Sequence, residues 1–413
     1  MSIRVHGKNR VVRRSCSMQG KRPRKDTFGR NSTVKRQCPM PWRGAGGMSL
    51  VELMVAVAVT AVIMASVYAG FSAHQRLYGQ EQQVLELQQS LRMALDMAAR
   101  ILQQAGYWRC VDARAVGGGS PGFKNTLKDA VSLFHTHPVM GLNNVAESFD
   151  PFADKQTLQG TDVLGYSFIE PAFEGSLSRD QDRPHDPLLL VKNKDTSAFK
   201  KGDIVFMTDC RRSALFQVTS VDVTENEVVV DHAANILVPG NVTRCLQCDD
   251  EGSACLEEWA CAAPGTGFRK GTSSLHRVRV GFFRVNRKGE FQWIEGGPDG
   301  AGRFVFSGPR TLAENVEDFQ VEFGVDTDPI PDGAVDDWVS ADAVPKTASE
   351  SEVPDWRRVR AVRGHLLGRT KRKLKGHVDT TVYVFADRKA EPAADAYRRV
   401  HMVKTVGIRN AVP

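Results

Sequence analysis

Five aspartates, Asp326, Asp328, Asp332, Asp336 and Asp337, fall within twelve residues around a turn at Gly333. Hard oxygen ligands on one loop are what calcium takes. Pro329-Ile330-Pro331 breaks the spacing of an EF-hand loop, so a solvated acidic loop is expected and calcium is the alternative. No other cofactor is expected. His135 and His137 flank Thr136 and would begin a metal site if a third ligand joined them. None is adjacent in the sequence, and a surface loop is expected instead. Cys245-x-x-Cys248 has the spacing of a zinc site, but five residues separate Cys255 from Cys261, which suits a four-cysteine zinc site less well. Residues 357–375 carry nine basic side chains and no acid. The run has no interleaved aromatics for stacking bases. A charged strand edge or a protein partner is expected there, not nucleic acid. The chain has no Walker loop, no G-x-S-x-G, no H-E-x-x-H and no dinucleotide fingerprint, so no enzyme is expected.

One carboxylate stands apart from these. Glu52 sits between Val51 and Leu53, at the mouth of a run of 21 uncharged residues, 53–73. About 20 apolar helical residues cross a hydrocarbon core. This run is the one long enough to do so, which excludes a polytopic transporter or channel. An ionisable group at membrane depth is a functional hypothesis by default. The chain as a whole is ordinary in composition: 413 residues, 25% charged, 41% hydrophobic, net charge +7. Its positive charge is concentrated at one end. Residues 1–47 hold thirteen Lys and Arg against one acid, Asp26, and the remainder holds 42 basic and 47 acidic side chains. Residues 1–47 show no apolar periodicity and read as unstructured. Basic residues ahead of an apolar span keep its N-terminal side in the cytoplasm.

The segment Gly46-Gly47-Met48-Ser49-Leu50-Val51-Glu52-Leu53-Met54 resembles the class III signal of type IV prepilins. The resemblance implies cleavage after Gly47 by prepilin peptidase and N-methylation of Met48, where the family usually has Phe. Glu52 would then be the glutamate that pairs with the N-terminal ammonium of a neighbouring subunit. In a low-dielectric bundle such a pair attracts strongly and an unpaired charge is costly, so pairing would select axial register. The leader comprises residues 1–47. Family leaders are mostly short, so the expected start is Met40, with residues 1–39 untranslated; the alternative is a long basic leader.

These residues need a long helix to carry them. Val84, Leu87, Leu91, Ala94, Ala98, Ile101 and Ala105 recur at spacings of three and four on one face. A helix is predicted over residues 49–105, about 85 Å long, with Gly106 as its C-cap. Residues 48–74 form its transmembrane half and residues 75–106 its amphipathic half. Residues 107–413 read as a β-rich domain. Strands are predicted at 162–169, 188–191, 203–207, 215–221, 227–230, 277–285, 316–323, 358–367, 380–385 and 400–408, with loops at 117–122 and 329–333. The expected fold class is α+β: one long N-terminal helix packed on an elaborated, mainly antiparallel β domain.

Four blocks resemble PilW-type minor pilins in the same order. They are residues 88–110 (QQSLRMALDMAARILQQAGYWRC), 202–218 (GDIVFMTDCRRSALFQV), 315–328 (NVEDFQVEFGVDTD) and 398–410 (RRVHMVKTVGIRN). Residues 245–261 are an insertion without a counterpart. The resemblance implies a low-abundance subunit that helps initiate type IV pilus assembly at the inner membrane, under the filament tip. Its implied partners are prepilin peptidase, other minor pilins, the major pilin, the pilus assembly platform and a tip adhesin. The nearest alternative is a minor pseudopilin of a type II secretion system. One of another class is a single-pass membrane protein with a periplasmic enzymatic or binding domain.

The orientation places six cysteines, Cys110, Cys210, Cys245, Cys248, Cys255 and Cys261, on the periplasmic side, where disulfides persist. Cys110 follows the predicted helix and Cys210 ends a predicted strand. A bond between them would tie helix to sheet. The other four could staple one loop by two bridges in any of three connectivities, and disulfides are favoured over zinc.

Overall fold

A computed structural model describes residues 49–411, except 113–115, 117–121, 129–135, 147–151, 153, 235–236, 248–263, 348–349 and 391–393. One helix runs from Leu50 to Leu102. Chain contacts divide the molecule into two compact units, Met1–Ala69 and Gly70–Pro413. Within the first, the helix leaves its apolar side chains uncovered: Val55, Val59, Val62 and Ile63 are all exposed. Within the second, Leu87, Leu91, Ala94, Leu95, Ala98, Ala99 and Leu102 are buried. The predicted face is therefore the packed one, although Ile101 lies only partly buried beside it. Regular α-helix stops three residues short of the expectation. Gln104 N–H donates to the Ile101 carbonyl and Ala105 N–H to the Leu102 carbonyl, three-residue closures that tighten the last turn. Gly106 follows with φ 74°, the left-handed conformation that ends helices.

The helix packs on a four-stranded antiparallel sheet. Its order is Asp337–Val339, Val316–Val325, Val359–Arg369 and Arg399–Gly407. The approach is tight at one point. A Cβ on Gly368 would come within 3.0 Å of Leu87 Cδ1 and Leu91 Cδ1. Phe319, Val321, Phe323, Val362 and Leu366 complete this core. Burying a leucine such as Leu91 contributes about 1.5–3 kcal/mol.

A larger sheet of eight strands precedes it in sequence. Phe123–Asn125, Ser213–Gln217, Ile204–Thr208, Ser274–Val285, Phe291–Pro298 and Phe304–Ala313 are neighbours in that order. Val163–Ser176 also pairs with Ser274–Val285, and Val139–Leu142 pairs with Val163–Ser176. Phe123–Asn125 runs parallel to Ser213–Gln217, and the other pairings described in this sheet are antiparallel.

The strand predicted at 215–221 is two strands, Ser213–Gln217 and Ser220–Val223. Between them the backbone turns away, because Val218 exchanges hydrogen bonds with the 202–203 turn and Thr219 N–H donates to Asp231 O. The strand predicted at 380–385 shortens to Tyr383–Phe385. Asp379 Oδ1 accepts from Thr381 N–H and holds the preceding residues in a turn. Phe291–Pro298 and Phe304–Ala313 have no counterpart among the predicted strands. Gly296, Gly297, Gly308 and Pro309 break their strand pattern. Gly296 is required there, since a Cβ would lie 2.4 Å from the Phe304 ring. The predicted loop at 117–122 lies outside the described residues except Gly122, and that at 329–333 is irregular as expected.

Candidate functional site

Gly47 and Met48 lie outside the described residues. Glu52 is in the first turn of the helix and exposed. Ser49 N–H donates to Glu52 Oε2 at 3.0 Å, and Val51 N–H donates to Ser49 Oγ at 3.3 Å. This is a capping box: serine and a glutamate three residues later satisfy backbone donors that the helix leaves unpaired. The carboxylate also lies at the positive end of the helix dipole. The S-x-x-E pattern is a sequence signal, distinct from the pairing with an ammonium expected above. After cleavage at Gly47 the new ammonium would belong to Met48, next to the Ser49 N–H that Glu52 accepts from.

The tie between helix and sheet is present. Cys110 and Cys210 form a disulfide with Cα atoms 5.4 Å apart and a sequence separation of 100. Trp108 is buried with its ring centroid 5.1 Å from Phe206, so the segment leaving the helix is already fixed on the larger sheet. Cys210 sits at φ 71° in a tight turn, where Asp209 Oδ1 accepts from Arg211 and Arg212 N–H at 3.0 and 2.6 Å. Cys245 is also disulfide-bonded, which removes it from a four-cysteine zinc site. Cys248, Cys255 and Cys261 lie outside the described residues.

The acidic loop is only partly as expected. Carboxylate oxygens of Asp326, Asp328 and Asp336 lie within 4.8 Å of one another. Asp326 is not solvated: its side chain is fully buried and its Oδ2 accepts from Arg360 Nη2 and Nε, both at 3.2 Å, and from Gly333 N–H at 2.8 Å. The reason is that Arg360 enters the fold from the central strand and needs a buried counter-charge. Asp336 Oδ2 accepts from Thr327 N–H at 2.7 Å. The nearby charge of Asp336, with burial and the charges of Asp332 and Asp326, raises the Asp328 pKa. Asp332 and Asp337 are engaged elsewhere, accepting from Ala334 and Trp338 N–H. The gathered oxygens are the hard donors calcium takes, while Arg360 already supplies positive charge to one of them.

His137 is buried, not in a surface loop; its carbonyl accepts from Ser167 Oγ at 2.6 Å, and His135 lies outside the described residues. The basic run is not a strand edge either. Val359–Arg369 is flanked by strands on both sides. Its arginines are paired inward along the sheet: Arg357 with Asp355, Arg360 with Asp326, Arg363 with Glu322, and Arg369 with Glu317. Lys371, Arg372, Lys373 and Lys375 follow in an exposed turn.

Two buried polar groups had no local sequence signal. Asp162 accepts from Asn144 and Val321 N–H, each at 2.8 Å, and burial pushes its pKa up to about 7. His365 Nδ1 lies 3.1 Å from His401 Nε2, and His365 Nε2 lies 3.0 Å from Glu322 Oε2. Burial lowers the pKa of both histidines.

Residues 295–410 match the family described as Type IV Pilus-assembly protein W, and residues 42–68 match the prokaryotic N-terminal methylation motif. The first match takes in the four-stranded sheet against which the helix packs; the second takes in Gly47, Met48 and Glu52. A methylation motif that runs directly into a membrane-length helix defines a type IV prepilin-like protein. Over residues 295–410 the chain is similar to PilW-type proteins, and the two matches together indicate a minor pilin of type IV pilus assembly. It is anchored in a membrane by its apolar helix and works with other pilins and the pilus machinery. No curated protein matches the chain. A type IV-like pilin from Thermus thermophilus is similar to it in structure, with TM-score 0.31 and 11% identity over 79% of this chain and 98% of that one.

Proposed function

We propose that this minor pilin acts at the initiation of pilus assembly, with its β domain on the periplasmic face of the inner membrane and its place at or near the filament tip. Prepilin peptidase cuts after Gly47 and methylates Met48. The mature subunit then joins other minor pilins, the major pilin, the assembly platform and a tip adhesin through its helix. The chain acts as a structural subunit and not as an enzyme. The observation that carries this reading is the methylation motif at residues 42–68 continuing into a helix whose second half is packed on the PilW-matched sheet.

Glu52 supplies the test. Replacing it with Gln keeps an acceptor for Ser49 N–H and removes the charge; replacing it with Ala removes both. The expected outcome is normal cleavage and membrane insertion in both variants, with loss of co-purifying pilins and of surface pili in both. Normal pilus numbers in Glu52→Gln would show that the helix cap, and not the charge, is what the subunit needs. Normal numbers in both variants would refute a role for Glu52 in assembly.

A further inference from the structure

The exposed turn at residues 371–375 has no part in the function proposed above. Its four cations lie beside the helix just past the apolar run. Gln80 Nε2 donates to the Lys375 carbonyl at 3.4 Å, and Arg372 N–H donates to Gln83 Oε1 at 3.1 Å. We propose that this turn docks on the anionic headgroups of the bilayer that the chain's own helix crosses, so that the β domain is held against the membrane surface before extraction. The proposal rests on the membrane anchoring established by the helix and its motif.

Distance along the helix supports this. Ala73 ends the uncharged run and Gln80 lies seven residues on, about 10 Å at 1.5 Å per residue. Phe71, Leu77 and Tyr78 remain exposed, Tyr78 by 75%. Tyrosine is enriched at the membrane–water interface, which places the headgroups near residue 78. The headgroup layer is roughly 5–8 Å deep on each side, so residues 80–83, about 10–15 Å past Ala73, and the turn they hold lie just outside it, where long basic side chains reach back to the phosphates. Lys375 is bonded to the residue nearest the span.

Charge supports it too. Lys371, Arg372, Lys373 and Lys375 are exposed, and no ion pair is described for any of them. The nearby acid Glu81 faces Arg398 instead, at 3.8 Å. Lysine and arginine carry charge on long apolar stems, which lets them reach a phosphate from the edge of the headgroup layer. Val378, three residues on, is 61% exposed. A basic cluster with an apolar neighbour beside a span is the pattern that anionic lipid attracts. The matching arginines earlier in the run are already neutralised within the sheet, which limits the free charge to the membrane-side turn.

The test uses the full chain in nanodiscs of phosphatidylglycerol or of phosphatidylcholine. An amine-reactive probe is read by peptide mass spectrometry at Lys371, Lys373 and Lys375, with Lys194 and Lys288 as references. Co-elution with both kinds of disc checks anchoring. The expected result is labelling of the three lysines slowed about threefold in phosphatidylglycerol discs, and restored by high salt. Co-elution with equal labelling in both discs would overturn the docking and leave the anchoring intact. Failure to co-elute with either disc would overturn the anchoring and the docking with it.

Discussion

His232 shows how a single buried residue sets a pH limit on this fold. It is fully buried against Phe216, and its Nε2 lies 3.0 Å from the Asp186 carbonyl oxygen. A carbonyl only accepts, so Nε2 carries the proton and donates. Nδ1 has no hydrogen-bond partner. Burial pushes the pKa down to about 4 from 6.5. The unfolded chain therefore binds a proton in the window between these values and the folded chain does not. Stability from this site is complete above pH 6.5 and is lost as pH falls toward 4. Asp162 has a raised pKa and contributes with the opposite sign, since stability at that site falls as pH rises from about 4 to about 7. Comparison with a His232→Gln variant isolates the histidine. Between about pH 7.5 and about pH 5 the parent should lose about 2 kcal/mol more than the variant, measured by denaturant unfolding. Equal losses would contradict this. Glu52 was legible in the sequence because a charge beside an apolar run stands out locally. Asp326 with Arg360, and His365 with His401, were not: each pair joins residues more than thirty apart across neighbouring strands.

Among the elements, the helix was the easiest to read. Its periodic face is continuous: every predicted residue but Ile101 is buried, joined by Leu95, Ala99 and Leu102, and the end is displaced only by a tightened turn. Leu188–Val191, an uninterrupted apolar run, and Ser274–Val285, where valines and phenylalanines are interleaved with arginines, were also legible. Phe291–Pro298 and Phe304–Ala313 were hidden by glycine and proline; of these, Gly296 makes room for the Phe304 and Phe306 rings. The Cys110–Cys210 disulfide joins the two kinds of element. In the chain-entropy model a closed loop of this size is worth up to about 4–5 kcal/mol. A Cys110→Ser/Cys210→Ser variant should therefore melt well below the parent, with the helix retained because Leu91, Leu95 and Leu102 still pack on the sheet. Melting curves in the same detergent decide it, and superimposable curves would contradict the stabilising role.

For the whole molecule, the two ends of the sequence carry different kinds of information. The methylation motif at residues 42–68 and the apolar run were legible because such motifs and spans are local patterns. The β domain states the subunit type, and it does so through a sheet assembled from residues 316 to 407 that composition alone could not reveal. On the function proposed above, both ends belong to one prepilin that matures by losing its basic leader while keeping its apolar helix. N-terminal sequencing and intact mass of the protein extracted from membranes test that claim most directly. The predicted result is a chain that begins with N-methylated Met48; a mature chain that still contains Arg43 would contradict it.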